Sequence, residues 1–569
     1  MERGSGLLPE RRRDRPVRRP RRHGCARGRR LGAAAPARAQ PCARRTPGGR
    51  GRGLRFAAAL AAALVSISAA GGAAQAEEDV AAIYARHCAG CHGAGRLGGT
   101  GPALLPENLR RLKPSKAITT ISEGLPASQM PAFSDKLDKA DIEALAKFIY
   151  TPLPALPVWG ETQIEASRVV HGLPAGDAAE KRHASDPMNL FVVVETGDHH
   201  VTVLDGDTFT PIHRFRTRYA LHGGPKFSPD GRFVYFASRD GWISMFDLYG
   251  LRMLAEIRAG INTRNMAVSA DGRYAMVANY LPHSLVVLNA KDLTLEKIIR
   301  VEDDKGISSR VSAVYDAPPR ESFIVALKDL KELWEIQYGD NPVYYGVVHD
   351  YRYEGVPEQT ERFPIRRVRL DDYLDDFFFD VGYQNIIGAA RDAANGQVIN
   401  LIVGRKVADI DLPGLPHLGS GITWNYGEVP VLATPNLRES VVSVIDMRSW
   451  RTLKRIETLG PGFFMRSHEN SRYAWVDVFF GPNRDAVHVI DKQTLEIVKT
   501  LRPAPGKTAA HVEFTRDGRY ALLSIWDMDG AVVVYDAESL QEVKRLPMKK
   551  PSGKYNVHNK ITRSRGTSH

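Results

Sequence analysis

Asp517-Gly518-Arg519-Tyr520 matters because the chain carries it more than once: Asp230-Gly231-Arg232-Phe233 and Asp271-Gly272-Arg273-Tyr274 repeat it, and Asn470-Ser471-Arg472-Tyr473 is a weaker copy. Asp-Gly is turn chemistry, since the carboxylate caps nearby amides and glycine accepts a left-handed backbone that other residues resist. After each copy come alternating apolar residues, then a strand ending at Asp247, Asn289, Asp491 or Asp536. The unit reads as a tight turn, an inner strand, a hairpin, and an outer strand closed by a second turn. One such unit cannot bury both of its faces, so copies must stack radially. A period of roughly forty residues then gives about eight blades over 185–569, a β-propeller. Aromatic and charged residues in Tyr344–Asp380 predict a less regular blade or an insertion.

Upstream the pattern is helical. Cys88-Ala89-Gly90-Cys91-His92 is the C-x-x-C-H attachment run of a c-type haem, two thiols for two vinyl groups and an imidazole for the iron. A chance Cys pair or a redox dithiol is the competing reading, and the neighbouring residues weigh against it. Pro102, in Gly101-Pro102-Ala103-Leu104, stands where small cytochromes place a carbonyl that orients the ligand His. Met130, in Gln129-Met130-Pro131, is placed to bring a thioether to the other face of the iron; His87 lies too close to the attachment site to compete easily. His/Met ligation suits electron transfer. Glu78–His87 predicts an opening helix, and Ile142, Leu145, Ala146, Phe148 and Ile149 repeat on one face of a closing helix over Lys139–Tyr150. The run from Thr151 to Pro157 breaks that helix and predicts an extended linker or strap.

The formal charge of +13 misleads. Residues 1–55 hold 18 Arg against Glu2, Glu10 and Asp14, which is more than the whole excess and leaves 77–569 at −2. A nucleic-acid surface is therefore not implied. Arg50, Arg52 and Arg55 precede the apolar run Phe56–Ala70, and Ala74-Gln75-Ala76 is a small-x-small cleavage site, so 1–76 reads as an export signal behind a spurious extension. The run is short for a membrane span, so no transmembrane anchor is expected in the mature chain, and the expected compartment is the periplasm. Cys25 and Cys42 fall in the leader, and the haem takes Cys88 and Cys91. The expected organisation is a cytochrome c domain over 77–150, a linker over 151–184 and a propeller over 185–569.

A small all-α cytochrome c domain ahead of an eight-bladed propeller resembles the cytochrome cd1 family. The resemblance is carried by Tyr219-Ala220-Leu221-His222, Ser238-Arg239-Asp240-Gly241, Phe246-Asp247-Leu248-Tyr249, Asn279-Tyr280-Leu281-Pro282, Phe323-Ile324-Val325 and Pro551–Val557. Within the family the chain is more similar to the NirN-type dihydro-haem d1 dehydrogenases than to the nitrite reductases, through Gly101–Leu109, Gln129–Phe133 and Thr196–Val201. The short cytochrome domain also lacks the long arm with which some nitrite reductases present a Tyr to the d1 iron.

The resemblance implies haem d1, or dihydro-haem d1, bound non-covalently at the propeller centre with His222 on its iron. Taken alone, a His before Gly223-Gly224 reads as a turn residue. It also implies that His417 and His468 are distal-pocket histidines: His417 the base, His468 a second proton carrier or alternative axial ligand. On residue chemistry both read equally as loop histidines. The carboxylates of d1 call for guanidinium and phenol donors, for which Arg218, Arg239, Arg264, Arg310 and Tyr280 are candidates. Arg232, Arg273, Arg472 and Arg519 belong to the repeated turn and read as structural. The implied activity is oxidation of a propionate side chain of dihydro-haem d1 to the acrylate. Electrons would leave through haem c to a periplasmic cytochrome or cupredoxin, with nitrite reductase as a recipient of the product. The alternatives are nitrite reduction to nitric oxide, a d1 carrier, and a cytochrome fused to an unrelated propeller dehydrogenase.

Overall fold

In the computed structural model the repeated turns do what their residues require. Asp230, Asp271 and Asp517 each accept the amide two residues on, at 3.1, 2.9 and 3.0 Å. Gly231, Gly272 and Gly518 sit at φ 73°, 70° and 76°, where a side chain is strained. A Cβ on Gly231 would also come within 2.6 Å of Val557. Two of the turn arginines reach the third strand of their own blade: Arg232 pairs with Asp247 at 3.3 Å, both buried, and Arg472 with Asp491 at 2.5 Å, whereas Arg273 pairs with Asp340 of the next blade at 2.6 Å.

The structure describes residues 80–98, 101–109, 112–125, 130–155, 158–172, 181–218, 221, 224–343, 361–389, 395–412 and 414–562. Within them lie eight antiparallel sheets, seven of four strands and one of five, in the order of an eight-bladed propeller. Each turn joins the first strand of a blade to the second, as between Lys226–Phe227 and Phe233–Ala237. The strand after each turn is therefore the second of its blade and not the innermost, which corrects the sequence reading. Second strands are buried on both faces and give the conspicuous apolar runs; the channel-lining first strands carry polar residues and show no such run. The irregular stretch near Tyr344 falls between the third strand Glu332–Gln337 and the outer strand Ile365–Arg369 of one blade, with 344–360 outside the described residues.

The ring closes through the chain's end. Pro551–Asn556 is the innermost strand of the blade completed by Leu190–Glu195, His200–Asp205 and Pro211–Arg216, with Val193 opposite Lys554. Closure removes the exposed strand edge. Apolar side chains of neighbouring blades interlock, as where Ile243 and Met245 meet Val277 and Val286.

Ahead of the propeller, helices cover 80–87, Ala89–His92, Pro106–Leu109, Pro114–Glu123 and Lys139–Ile149. Asp138 caps the last of these by accepting the Asp141 amide at 2.8 Å. Ile142, Leu145, Ala146 and Ile149 are buried with Val80 and Tyr84, so the first and last helices pack together. The following segment carries a helix, Glu161–Ala166, and then Val169–Val170, which adds a fifth strand to the outer edge of the Arg252–Arg258 blade. Ala103 and Leu105 of the helical unit share an apolar cluster with Ile261 and Leu281 of the propeller. Among the described residues, no helix is long and apolar enough to cross a membrane.

Candidate active site

His92 is buried, and its Nδ1 donates to the carbonyl of Pro102 at 2.7 Å, the contact expected from the sequence. A committed Nδ1 leaves Nε2 as the basic nitrogen, which is what an iron ligand requires. Gly101 makes room for the ring, because a Cβ there would stand 2.6 Å from Cε1 of His92. Cys88 is half-buried and Cys91 exposed, and no disulfide joins them. Met130 packs half-buried against the same core. Two thiols, an imidazole and a thioether form a donor set that fits haem c.

The second site lies where inner strands begin and where second strands turn into third strands. Arg239 follows the second strand Phe233–Ala237; Arg264 lies in the inner strand Asn262–Val268; Tyr280 lies near the end of Tyr274–Leu281. All three are partly exposed amid buried neighbours. Burial, then the adjacent Arg264, pulls the Arg239 guanidinium down to about 10. Burial raises the Tyr280 phenol, but Arg264, Lys328 and Arg239 outweigh it and hold the phenol below its usual value. A concentration of cation this strong is a seat for carboxylates.

His417 lies across this cluster, close enough to Arg264 to be influenced by its charge. Its Nδ1 donates to the Phe463 carbonyl at 2.6 Å, and its ring contacts Phe463 and Phe464 with centroids 4.2 and 6.1 Å apart. Burial lowers its pKa, more than Asp376 and the Phe463 bond raise it, so the imidazole is neutral near pH 7. Phe463, Phe464, Phe479, Phe480 and Trp526 form an aromatic wall beside it.

His468 does not join this pocket. It stands at the other end of the inner strand Met465–Ser467, next to the repeated turn, where its Nδ1 accepts the Asn470 amide at 3.1 Å and its ring lies against Gly518 of the next blade. The second histidine that meets the aromatic wall is His511, whose ring is 4.8 Å from Phe464 and 5.0 Å from Tyr555. Burial, with Lys554 and Arg466 adding to it, drives His511 well below the ordinary histidine value. Among the described residues its buried Nδ1 has no hydrogen-bond partner, and neither has Nε1 of Trp526. Orphaned polar atoms on a partly exposed aromatic wall are what a site for a large, partly polar ring should leave behind.

The other candidates divide. Arg218 is held bidentately by Glu256 at 2.9 Å and stacks on Trp242. Arg310 is held bidentately by Asp329 at 2.7 Å, although it also lies 5.5 Å over the Tyr280 ring. Both guanidiniums are spent on carboxylates of the protein itself. His222, with Tyr219, Ala220 and Gly223, lies outside the described residues. Its described neighbour Gly224 rests on the Tyr555 ring, where a Cβ would approach to 3.1 Å.

Residues 185–560 match the family model of the cytochrome D1 heme domain. The chain belongs to the cytochrome D1 heme domain family. Residues 75–149 match the model described as cytochrome C oxidase, cbb3-type, subunit III. This cytochrome D1 chain is 57% identical over 488 residues to the dihydro-heme d1 dehydrogenase of Pseudomonas aeruginosa, covering 86% of the chain and 95% of that protein. A solved structure of dihydro-heme d1 dehydrogenase NirN in complex with DHE aligns with a TM-score of 0.73 and 57% identity over 84% of the chain and 99% of that one. The nitrite reductase of Stutzerimonas stutzeri is 25% identical over 533 residues, covering 84% of the chain and 92% of that protein.

For a cytochrome D1 heme domain, sequence reasoning missed His511, Tyr555 and the aromatic wall. A usable signal was present. The repeated turn marks the end of the inner strand away from the pocket, so a histidine two residues before Asn470 is remote, whereas one six residues before Asp517 is at the pocket.

Proposed function

We propose that this chain is a periplasmic dihydro-haem d1 dehydrogenase, an oxidoreductase that converts a propionate side chain of its tetrapyrrole substrate to an acrylate. The observation that carries this reading is the 57% identity to a dihydro-heme d1 dehydrogenase along nearly the whole of that protein, against 25% to a nitrite reductase. The pocket chemistry supports it. Arg239, Arg264 and Tyr280 hold substrate carboxylates, and the phenylalanine wall packs the macrocycle and excludes water. His222, outside the described residues, is assigned to the substrate iron by resemblance to the family.

Turning a CH2–CH2 unit into CH=CH releases two protons and two electrons. His417, neutral and basic at Nε2, takes one proton; neutral His511 beside Tyr555 serves the other. An imidazole that is unprotonated near pH 7 can accept a proton in such a step. Haem c, held by Cys88, Cys91, His92 and Met130, supplies one-electron acceptor chemistry. The electrons pass on to a periplasmic cytochrome or cupredoxin, and nitrite reductase receives the product.

The test is an anaerobic titration of the oxidised, haem-c-loaded protein with dihydro-haem d1. Two equivalents of haem c reduced per substrate molecule, with no turnover of nitrite, is the expected result. Binding without haem c reduction would make the protein a carrier, and rapid formation of nitric oxide would make it a nitrite reductase.

A further inference from the structure

Asp477 ends the second strand Tyr473–Asp477 of its blade and is only 1% exposed. Its Oδ1 accepts the amides of Phe463 at 2.7 Å and Phe464 at 3.0 Å, and its Oδ2 accepts the amide of His511 at 3.2 Å. The Phe463 peptide thus receives this carboxylate at its neighbouring amides and His417 at its carbonyl. One side chain ties the segment that receives His417 to the segment that carries His511.

The propeller does not need an acid at this place. Counted seven residues on from the start of the repeated turn, the matching positions of three other blades are Ala237, Ala278 and Ser524, none of them acidic. The second strand of the closing blade ends in Glu195, which is matched to Arg214. Asp477 instead spends its oxygens on backbone amides, and burial pushes its carboxyl up to about 7. A buried carboxylate is costly, so its presence where three other blades carry a neutral residue points away from stability.

His511 shows what the cost secures. Its backbone is left-handed at φ 56°, and the register of its strand shifts between Ala510 and Val512, a bulge that re-aims the side chain. Strain of this kind persists only where the surroundings over-determine it. Asp477 holds the His511 amide, and Lys554, also bound to Ser524 at 3.0 Å, holds its carbonyl.

We infer that Asp477 is a positioning residue that sets the placement of His417 and His511 relative to each other across Phe464. This rests on the dehydrogenase reading for its consequence in catalysis, though not for the placement itself. Asp477→Asn keeps the shape and one acceptor oxygen but turns an amide donor toward one of the three N–H groups.

The experiment compares wild type and Asp477→Asn, both loaded with haem c and labelled with 15N-histidine. In the variant, kcat for dihydro-haem d1 falls about tenfold or more while Kd stays within about threefold, since misplacement of catalytic groups costs rate before binding. The thermal midpoint stays near that of wild type. The His511 amide and His417 ring resonances shift, while those of His468 and His488 do not. An unchanged kcat overturns the inference, as does a loss of kcat that follows the folded fraction or Kd. Unmoved His417 and His511 resonances overturn it too. If wild type itself does not turn over, the dehydrogenase reading fails, and the resonances alone decide the inference. If Asp477→Asn does not fold, Asp477→Ser, which retains one oxygen, is measured in the same way with the same outcomes.

Discussion

His417 donates its Nδ1 to the carbonyl of Phe463 at 2.6 Å, and that bond settles which of its nitrogens is basic. The ring is neutral because burial lowers its pKa, so Nε2 carries the free lone pair. His511 approaches the same aromatic wall from the neighbouring blade, also neutral. Two neutral imidazoles on one aromatic wall, one of them near Arg264, suit a reaction that sheds two protons from a side chain of an anionic substrate.

His417→Ala lowers the rate of dihydro-haem d1 conversion by about 10²–10⁴, the range for loss of a positioned base, with substrate binding retained. His468→Ala stays within about threefold in rate and loses about 1 kcal/mol of stability, the worth of its bond from the Asn470 amide. Anaerobic single-turnover kinetics and urea unfolding of the two variants check the pair.

The contrast between these histidines shows what was legible. The Asp-Gly-Arg turns announce the propeller because capping carboxylates and left-handed glycines leave a local signature, and C-x-x-C-H announces the haem in the same way. The pocket leaves no such mark. Its wall brings Phe464 and Phe479 of one blade against Trp526 of the next and Tyr555 of the closing strand, and only the packing of blades assembles that set. His468 and His511 have similar local chemistry, and only the end of the inner strand each occupies separates their roles.

Stability should fall on the acid side of neutrality. His417, His468, His488 and His511 are all lowered below 6.5 by burial, His488 to about 4. The unfolded chain therefore binds protons near 6.5 that the folded one refuses, and stability is lost as pH falls below that value. Asp477, raised to about 7, and Asp240, also raised by burial, work the other way over the same window, but burial lowers His92, His199, His213 and His558 as well, so they are two against eight. The expected outcome is a lower thermal midpoint at about pH 5.5 than at about pH 7, measured by calorimetry; an equal or higher midpoint at the lower pH contradicts it.

Asp247→Ala strips a partner from the buried Arg232 and should cost about 3–5 kcal/mol, the price of an unpaired buried charge. Converting both residues to apolar ones of similar size should recover much of that loss. Urea midpoints of the single and double variants report it.

Gly101→Ala places a methyl group 2.6 Å from Cε1 of His92 and must displace the ring or the loop. The expected outcome is haem c that attaches at Cys88 and Cys91 but shows a shifted midpoint potential and a perturbed α band. A spectrum and potential identical to wild type would mean that the loop yields without moving the ligand.

The most direct measurement is the mass of the tetrapyrrole extracted after anaerobic incubation of the haem-c-loaded protein with dihydro-haem d1 and an electron acceptor. Loss of two hydrogens from the substrate is the expected result with wild type, and recovery of unaltered substrate with His417→Ala. Unaltered dihydro-haem d1 from the wild-type protein would contradict the dehydrogenase assignment.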